Sequence, residues 1–121
     1  MKIFVNHTNH PSANWSCEQT TAAKVYGEIV DVPFPTVEAE AGTEKIRELV
    51  SSNLEKILAL KPSSVLCQGE FTYTFAMVER LKNFDVTVVA ATTKRESHEE
   101  ILPDGSSKNI STFRFVRFRE Y

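Results

Sequence analysis

The sequence predicts an α/β fold: a mostly parallel sheet with flanking helices, ending in an antiparallel hairpin. Three observations lead there. Short apolar runs of strand character, at residues 3–5, 29–32, 65–67 and 86–90, alternate with segments of helical periodicity. The run Val86 to Ala90 is apolar almost throughout, the pattern of a central strand covered on both faces. After it the alternation stops, and two β-patterned segments flank the turn sequence Pro103-Asp104-Gly105-Ser106.

Each element has a local reason. Ile3 to Val5 forms the first strand, and the polar stretch Asn6 to Asn14 forms the loop after it. Ser16 with Gln19 three residues on has the spacing of a capping box, and Gly27 suits the helix end. Ile29 to Val32 is stopped by Pro33-Phe34-Pro35, and an acidic connector runs from Thr36 to Gly42. The next helix, capped by Thr43 and ended by Pro62, shows Ile46, Leu49, Val50, Ile57 and Leu58 as one apolar stripe. Val65 to Cys67 then leads through Gly69 into a helix with Phe71, Phe75, Val78 and Leu81 at helical spacing. Asn83-Phe84-Asp85 is its exit turn. Alternation of this kind gives parallel strands joined by right-handed crossovers, a Rossmann-like sheet.

A chain of 121 residues is expected to form one domain, residues 1–121. No run approaches the roughly 18 apolar residues of a membrane span, so no membrane partner is expected. Two isolated cysteines, Cys17 and Cys67, have neither metal-ligand nor disulfide spacing, which predicts a reduced, cytoplasmic setting. The net charge of −2 excludes a global basic field for long nucleic acid. Charge is nevertheless uneven: residues 1–85 carry 8 Lys/Arg against 11 Asp/Glu, and residues 86–121 carry 6 against 5.

Ligands of open parallel sheets sit beyond the carboxyl ends of the strands. In this chain those ends are the loops starting at Asn6, Pro33, Gln68 and Ala91, and three of the four are densely polar. At the Gln68-Gly69-Glu70 junction a missing side chain lets a ligand approach the backbone, and the following helix start offers free amides to a phosphate. Gln68, Thr72 and Thr74 add neutral hydrogen-bonding groups. Glu70 reads either as a base or ribose acceptor, or as a carboxylate complementing the helix dipole. Ala91-Thr92-Thr93-Lys94-Arg95 reads either as a phosphate-binding loop or as a solvated loop start. Asn6, His7, Asn9 and His10 suit a base edge or ribose hydroxyl; Asn9 alternatively serves only as a turn former, and no carboxylate or cysteine lies nearby to complete a metal site. By period two, Phe113, Phe115, Arg117, Arg119 and Tyr121 share one face of the last strand, whose arginines face either a ligand or solvent and carboxylates. Trp15 reads as structural.

These residues carry a resemblance. Gln68-Gly69-Glu70, Ala91 to Arg95, Glu99-Glu100, Asp104-Gly105 and the terminal Phe115 to Tyr121, with the opening Val5-Asn6-His7 and the downstream Glu18-Gln19, resemble the small standalone CRISPR-associated ring nucleases of the CARF (CRISPR-associated Rossmann fold) superfamily. The Asn6-to-Asn14 loop is longer and more polar than in that family, and the connector 36–42 has no counterpart there. The resemblance implies a homodimer that binds cyclic oligoadenylate, the tetra-adenylate foremost, and linearises it without a metal or cofactor. A ribose 2′-hydroxyl attacks the adjacent phosphate and leaves a 2′,3′-cyclic phosphate. His7, Glu70, Lys94 and Arg95 would then be catalytic. Asn6, Asn9, His10, Gln68, Gly69, Thr72, Thr92, Thr93 and Arg117 would bind ligand, with Arg119 of second rank and His10 sharing the proton-transfer candidacy with His7. The alternatives are a non-catalytic sensor or sponge of the same fold and a plain interaction protein.

Overall fold

The computed structural model describes residues 1–121 as a five-stranded sheet with three helices. The elements in chain order are β1 (Ile3–His7), a 3-10 turn (Ser12–Asn14), α1 (Cys17–Tyr26), β2 (Glu28–Asp31), α2 (Thr43–Ala59), β3 (Ser64–Cys67), α3 (Phe71–Asn83), β4 (Thr87–Ile101) and β5 (Ser107–Glu120). The strand order is β2-β1-β3-β4-β5, parallel except for the β4–β5 pair. The predicted α/β class, with its closing antiparallel pair, is the one observed.

Period-two alternation divides the core between the two faces of the sheet. Val5, Val65, Cys67 and Val88 point to the face covered by α2 and α3. Phe4, Leu66 and Val89 point to the face covered by α1, where they meet Ala23. The chain leaves β1 toward β2 on one side and reaches β3 on the other, so the loops after β1 and β3 diverge and leave a crevice between them.

Several local expectations hold and several shift. Ser16 caps α1, its Oγ accepting from the Gln19 amide at 3.2 Å. Thr43 is the first helical residue of α2 and not its cap, which is Gly42. The phase of α3 differs most. Its buried residues are Tyr73, Thr74, Met77, Val78 and Leu81, while Phe71 and Phe75 are 88% and 72% exposed. Two phenylalanines one turn apart mimic a core stripe in sequence, but Tyr73 and Met77 supply it.

The largest correction concerns β4. Ala91 to Arg95 is not a loop. The strand runs unbroken to Ile101 and pairs with β5 from Val89↔Glu120 out to Ile101↔Ser107. Its pairing with β3 covers only Thr87 to Val89, so beyond that β4 and β5 form a two-stranded ribbon. The register slips between Thr92↔Arg117 and Thr93↔Phe115, leaving Val116 as an extra residue. That bulge breaks the predicted face. Phe118 and Phe115, either side of it, lie on the α1 face with rings 4.9 Å apart. Arg117, Arg119 and Tyr121 occupy the other.

Candidate functional site

The crevice at the carboxyl ends of β1 and β3 has a volume of about 1130 Å³. One wall is the loop Thr8 to Pro11 with Asn14 to Ser16 and the first turn of α1; the floor is Leu66, Gln68 and Gly69; the far wall is the root of the ribbon. The N-terminal loop is built on backbone acceptors. Asn6, buried in β1, donates to the His10 carbonyl at 2.9 Å and to Asp31 Oδ1 at 3.1 Å. Asp31 Oδ2 accepts from the Ser12 amide, and the Trp15 indole N–H donates to the same His10 carbonyl at 3.0 Å. Asn6 therefore shapes the wall and does not face a ligand. Nothing local in the sequence marks Asp31, at the end of β2, as a loop organiser, since its partner Asn6 lies 25 residues away.

His7 requires a correction. Alternation along β1 sends it to the face opposite the crevice, where it is fully buried beside Phe34 and Tyr73. Its Nδ1 lies 2.7 Å from the Val32 carbonyl, which fixes the proton on Nδ1. Nε2 then accepts from the Tyr73 hydroxyl at 2.7 Å. Burial lowers the His7 pKa against the opposing pull of the Val32 carbonyl, so the ring is neutral. The Tyr73 phenol is raised by burial and by the neighbouring Cys67. Burial alone pushes the Cys67 thiol up to about 12. This is a satisfied core network, and His7 is not positioned to exchange a proton with a ligand.

The expected phosphate cradle at α3 is also filled from within. Glu70 is the N-cap: its carboxylate accepts from the Thr72 amide at 2.8 Å and the Tyr73 amide at 3.0 Å. The Thr72 hydroxyl donates to it as well. The Thr72 amide, then the Tyr73 amide and the Thr72 hydroxyl hold the Glu70 carboxyl below the usual range. A carboxylate already occupies the positive end of the helix, so Glu70 and Thr72 serve as a cap.

Gln68 takes a third internal role. Strand β3 ends at Cys67, and the Gln68 carboxamide continues the ladder: Nε2 donates to the Ala91 carbonyl at 3.2 Å and Oε1 accepts from the Ala91 amide at 2.9 Å. Gly69 does allow a close approach, but by the ring of Phe34. A Cβ built there would lie 2.6 Å from Cε2 and 2.8 Å from Cε1. Gly69→Ala is therefore expected to destabilise by about 1–3 kcal/mol. In chemical denaturation Phe34→Leu should recover much of that loss in the double variant, because the two positions couple through one contact.

The ribbon residues divide. Thr93 lines the crevice, whereas the Thr92 hydroxyl donates to the Arg117 carbonyl at 2.9 Å and secures the bulge. Arg95 donates to Ser111 Oγ at 3.1 Å. Lys94, Arg95 and Arg117 are exposed and lie outside the crevice lining. Of the expected site residues, the structure thus brings together Asn9, His10, Gln68, Gly69 and Thr93. It adds Trp15, Gln19, Phe71, Phe113 and Arg114. Arg114 is tied to Glu18, with Nε 3.3 Å from Oε2. No three His, Cys, Asp or Glu side chains converge into a metal cage. The crevice offers amides, hydroxyls, aromatic rings, one imidazole, the Glu18 and Glu96 carboxylates and the Arg114 guanidinium, groups able to contact a polar ligand with flat parts.

Fold and crevice together define an α/β domain with a ligand-sized cleft at its topological switch point. The chain belongs to the family described as "Uncharacterized protein MJ1673 family", whose model matches residues 2–119. A comparison with curated proteins finds no match.

Proposed function

We propose that this protein binds a cyclic oligoadenylate in the β1/β3 crevice and opens the ring by attack of a ribose 2′-hydroxyl on the neighbouring phosphate. The observation that carries this reading is the lining itself. Trp15, Phe71 and Phe113 offer flat apolar surfaces for bases beside neutral hydrogen-bonding groups from Asn9, Gln19 and Thr93. In this reading Trp15 and Phe113 stack on adenines, and Asn9 and Gln19 read base edges or ribose hydroxyls. His10 is the imidazole available to the attacking hydroxyl. Catalysis would rest on holding the in-line geometry. A homodimer would present two crevices to one ring.

A second reading, a sponge that holds the ring uncut, also has an observation behind it. None of the four residues expected to be catalytic reaches the crevice: His7 is buried, Glu70 is committed to its cap, and Lys94 and Arg95 lie outside the lining. Incubation of the pure protein with cyclic tetra-adenylate in EDTA, resolved by chromatography with mass detection, separates the two. Linear product ending in a 2′,3′-cyclic phosphate, lost in His10→Asn, is the expected result. Intact ring that co-elutes with the protein would establish the sponge. Intact ring that does not bind would overturn both.

A further inference from the structure

The β4–β5 ribbon is an arm without a cover. From Thr93 outward it leaves the sheet, and its residues to the turn are exposed on both faces apart from the buried Phe115 at its root and the half-buried Leu102 and Ile110. Eight steps from Thr93 to Ile101 make it about 27 Å long. A two-stranded ribbon with no covered face is marginal in water by itself. Its exposed large apolar residues sit at opposite ends: Ile101, 76% exposed, near the tip, and Phe113, 70% exposed, near the root.

Charge is segregated in the same way. The outer part, residues 96–108, carries Glu96, Glu99, Glu100 and Asp104 against Lys108. The inner part, residues 93–95 and 113–115, carries Lys94, Arg95 and Arg114 and no carboxylate. Within the fold only Arg114 among these forms an ion pair, with Glu18. The cross-strand pair Lys94↔Arg114 sets two cations side by side, and only Arg114 has an anion beside it, Glu18.

We propose that the occupant of this arm is a second copy of the chain. Two ribbons related by a twofold axis lie antiparallel, the acidic tip of each on the basic root of the other. An arm of opposite charge at its two ends is self-complementary only in that arrangement; a parallel one sets like against like. The same arrangement carries Ile101 of one copy toward Phe113 of the other. Lys94 and Arg95 then serve the contact between subunits, which accounts for their place outside the crevice lining. The inference rests on the dimeric part of the functional reading, but its test needs no nucleotide.

The test is sedimentation velocity on the full chain, wild type and two charge-reversed variants: Glu99→Lys with Glu100→Lys at the tip, and Lys94→Glu with Arg95→Glu at the root. Wild type is expected to be a dimer that weakens with added salt. Each reversed variant alone should show a dimer dissociation constant raised on the order of 100-fold. An equimolar mixture of the two should recover the dimer, because each reversed end then faces its complement. Circular dichroism on each variant separates lost association from lost folding, and recovery in the mixture proves both folded. A monomeric wild type, a reversed variant that dimerises like wild type, or a mixture that stays monomeric while wild type dimerises would each overturn the proposal.

Discussion

His7→Ala is expected to cost about 3–5 kcal/mol of folding stability, a large share of what a domain of this size possesses. The loss has two sources. The ring is fully buried among Phe34, Tyr73 and the ends of β1 and β3, so its removal leaves a cavity. The Tyr73 hydroxyl and the Val32 carbonyl also lose their partner in a place water does not reach. Tyr73→Phe removes only the hydroxyl and should cost less, about 1–2 kcal/mol, which keeps the network measurable if the alanine variant fails to fold.

The same histidine gives the stability a pH dependence with a definite sign. Its folded pKa lies below the ordinary value of 6.5, so between the two values the unfolded chain binds more protons than the folded one. Stability is therefore full above about pH 6.5 and falls as the pH drops toward the folded pKa. Glu70, also depressed in the folded state, acts in a separate window below its ordinary 4.5. Urea denaturation at a series of pH values between 7.5 and 5 checks this. The wild-type midpoint should fall with pH and that of the His7 variant should stay flatter. Equal slopes in the two proteins would show that His7 is not the group responsible.

Trp15→Ala is expected to weaken binding of cyclic tetra-adenylate about 10- to 100-fold, the range for losing one stacked base. The indole stands at the crevice wall, half-buried, and is oriented by its N–H bond to the His10 carbonyl. It also packs against the α1-side core, so alanine costs some stability as well. Trp15→Phe retains a flat ring while giving up the N–H, and should recover most of the binding. Calorimetric titration of the three proteins reads the effect. Unchanged affinity in the alanine variant would remove Trp15 from the site.

Most of the architecture was legible in the residues. Four strands and three helices fall where apolar periodicity, the Ser16 cap and the glycine and proline stops put them, because those signals are local. The candidate site was legible in position more than in identity. The polar loops after β1 and β3 do meet at a crevice, and Asn9, His10, Gln68, Gly69 and Thr93 do line it. Yet chemically capable residues were already committed to the fold itself. His7 is bonded to Val32 and Tyr73, Glu70 to the start of its own helix, and Gln68 to Ala91. Donor and acceptor counts cannot separate a group awaiting a ligand from one satisfied by a distant neighbour.

By itself the sequence determined the class of the fold, the order of its elements and the end of the sheet that carries the crevice, since hydrophobic period and connection length act along the chain. Tertiary structure alone decided which face each residue serves. One extra residue at Val116 moved Phe115 and Phe118 together and turned Arg117 away from them. Alternation buried His7 behind the crevice and aimed its two nitrogens at groups 25 and 66 positions away. Continuous pairing with β5 turned a presumed phosphate loop into the root of a projecting arm. Each of these depends on contacts between residues far apart in the chain, and such contacts exist only once the sheet has formed.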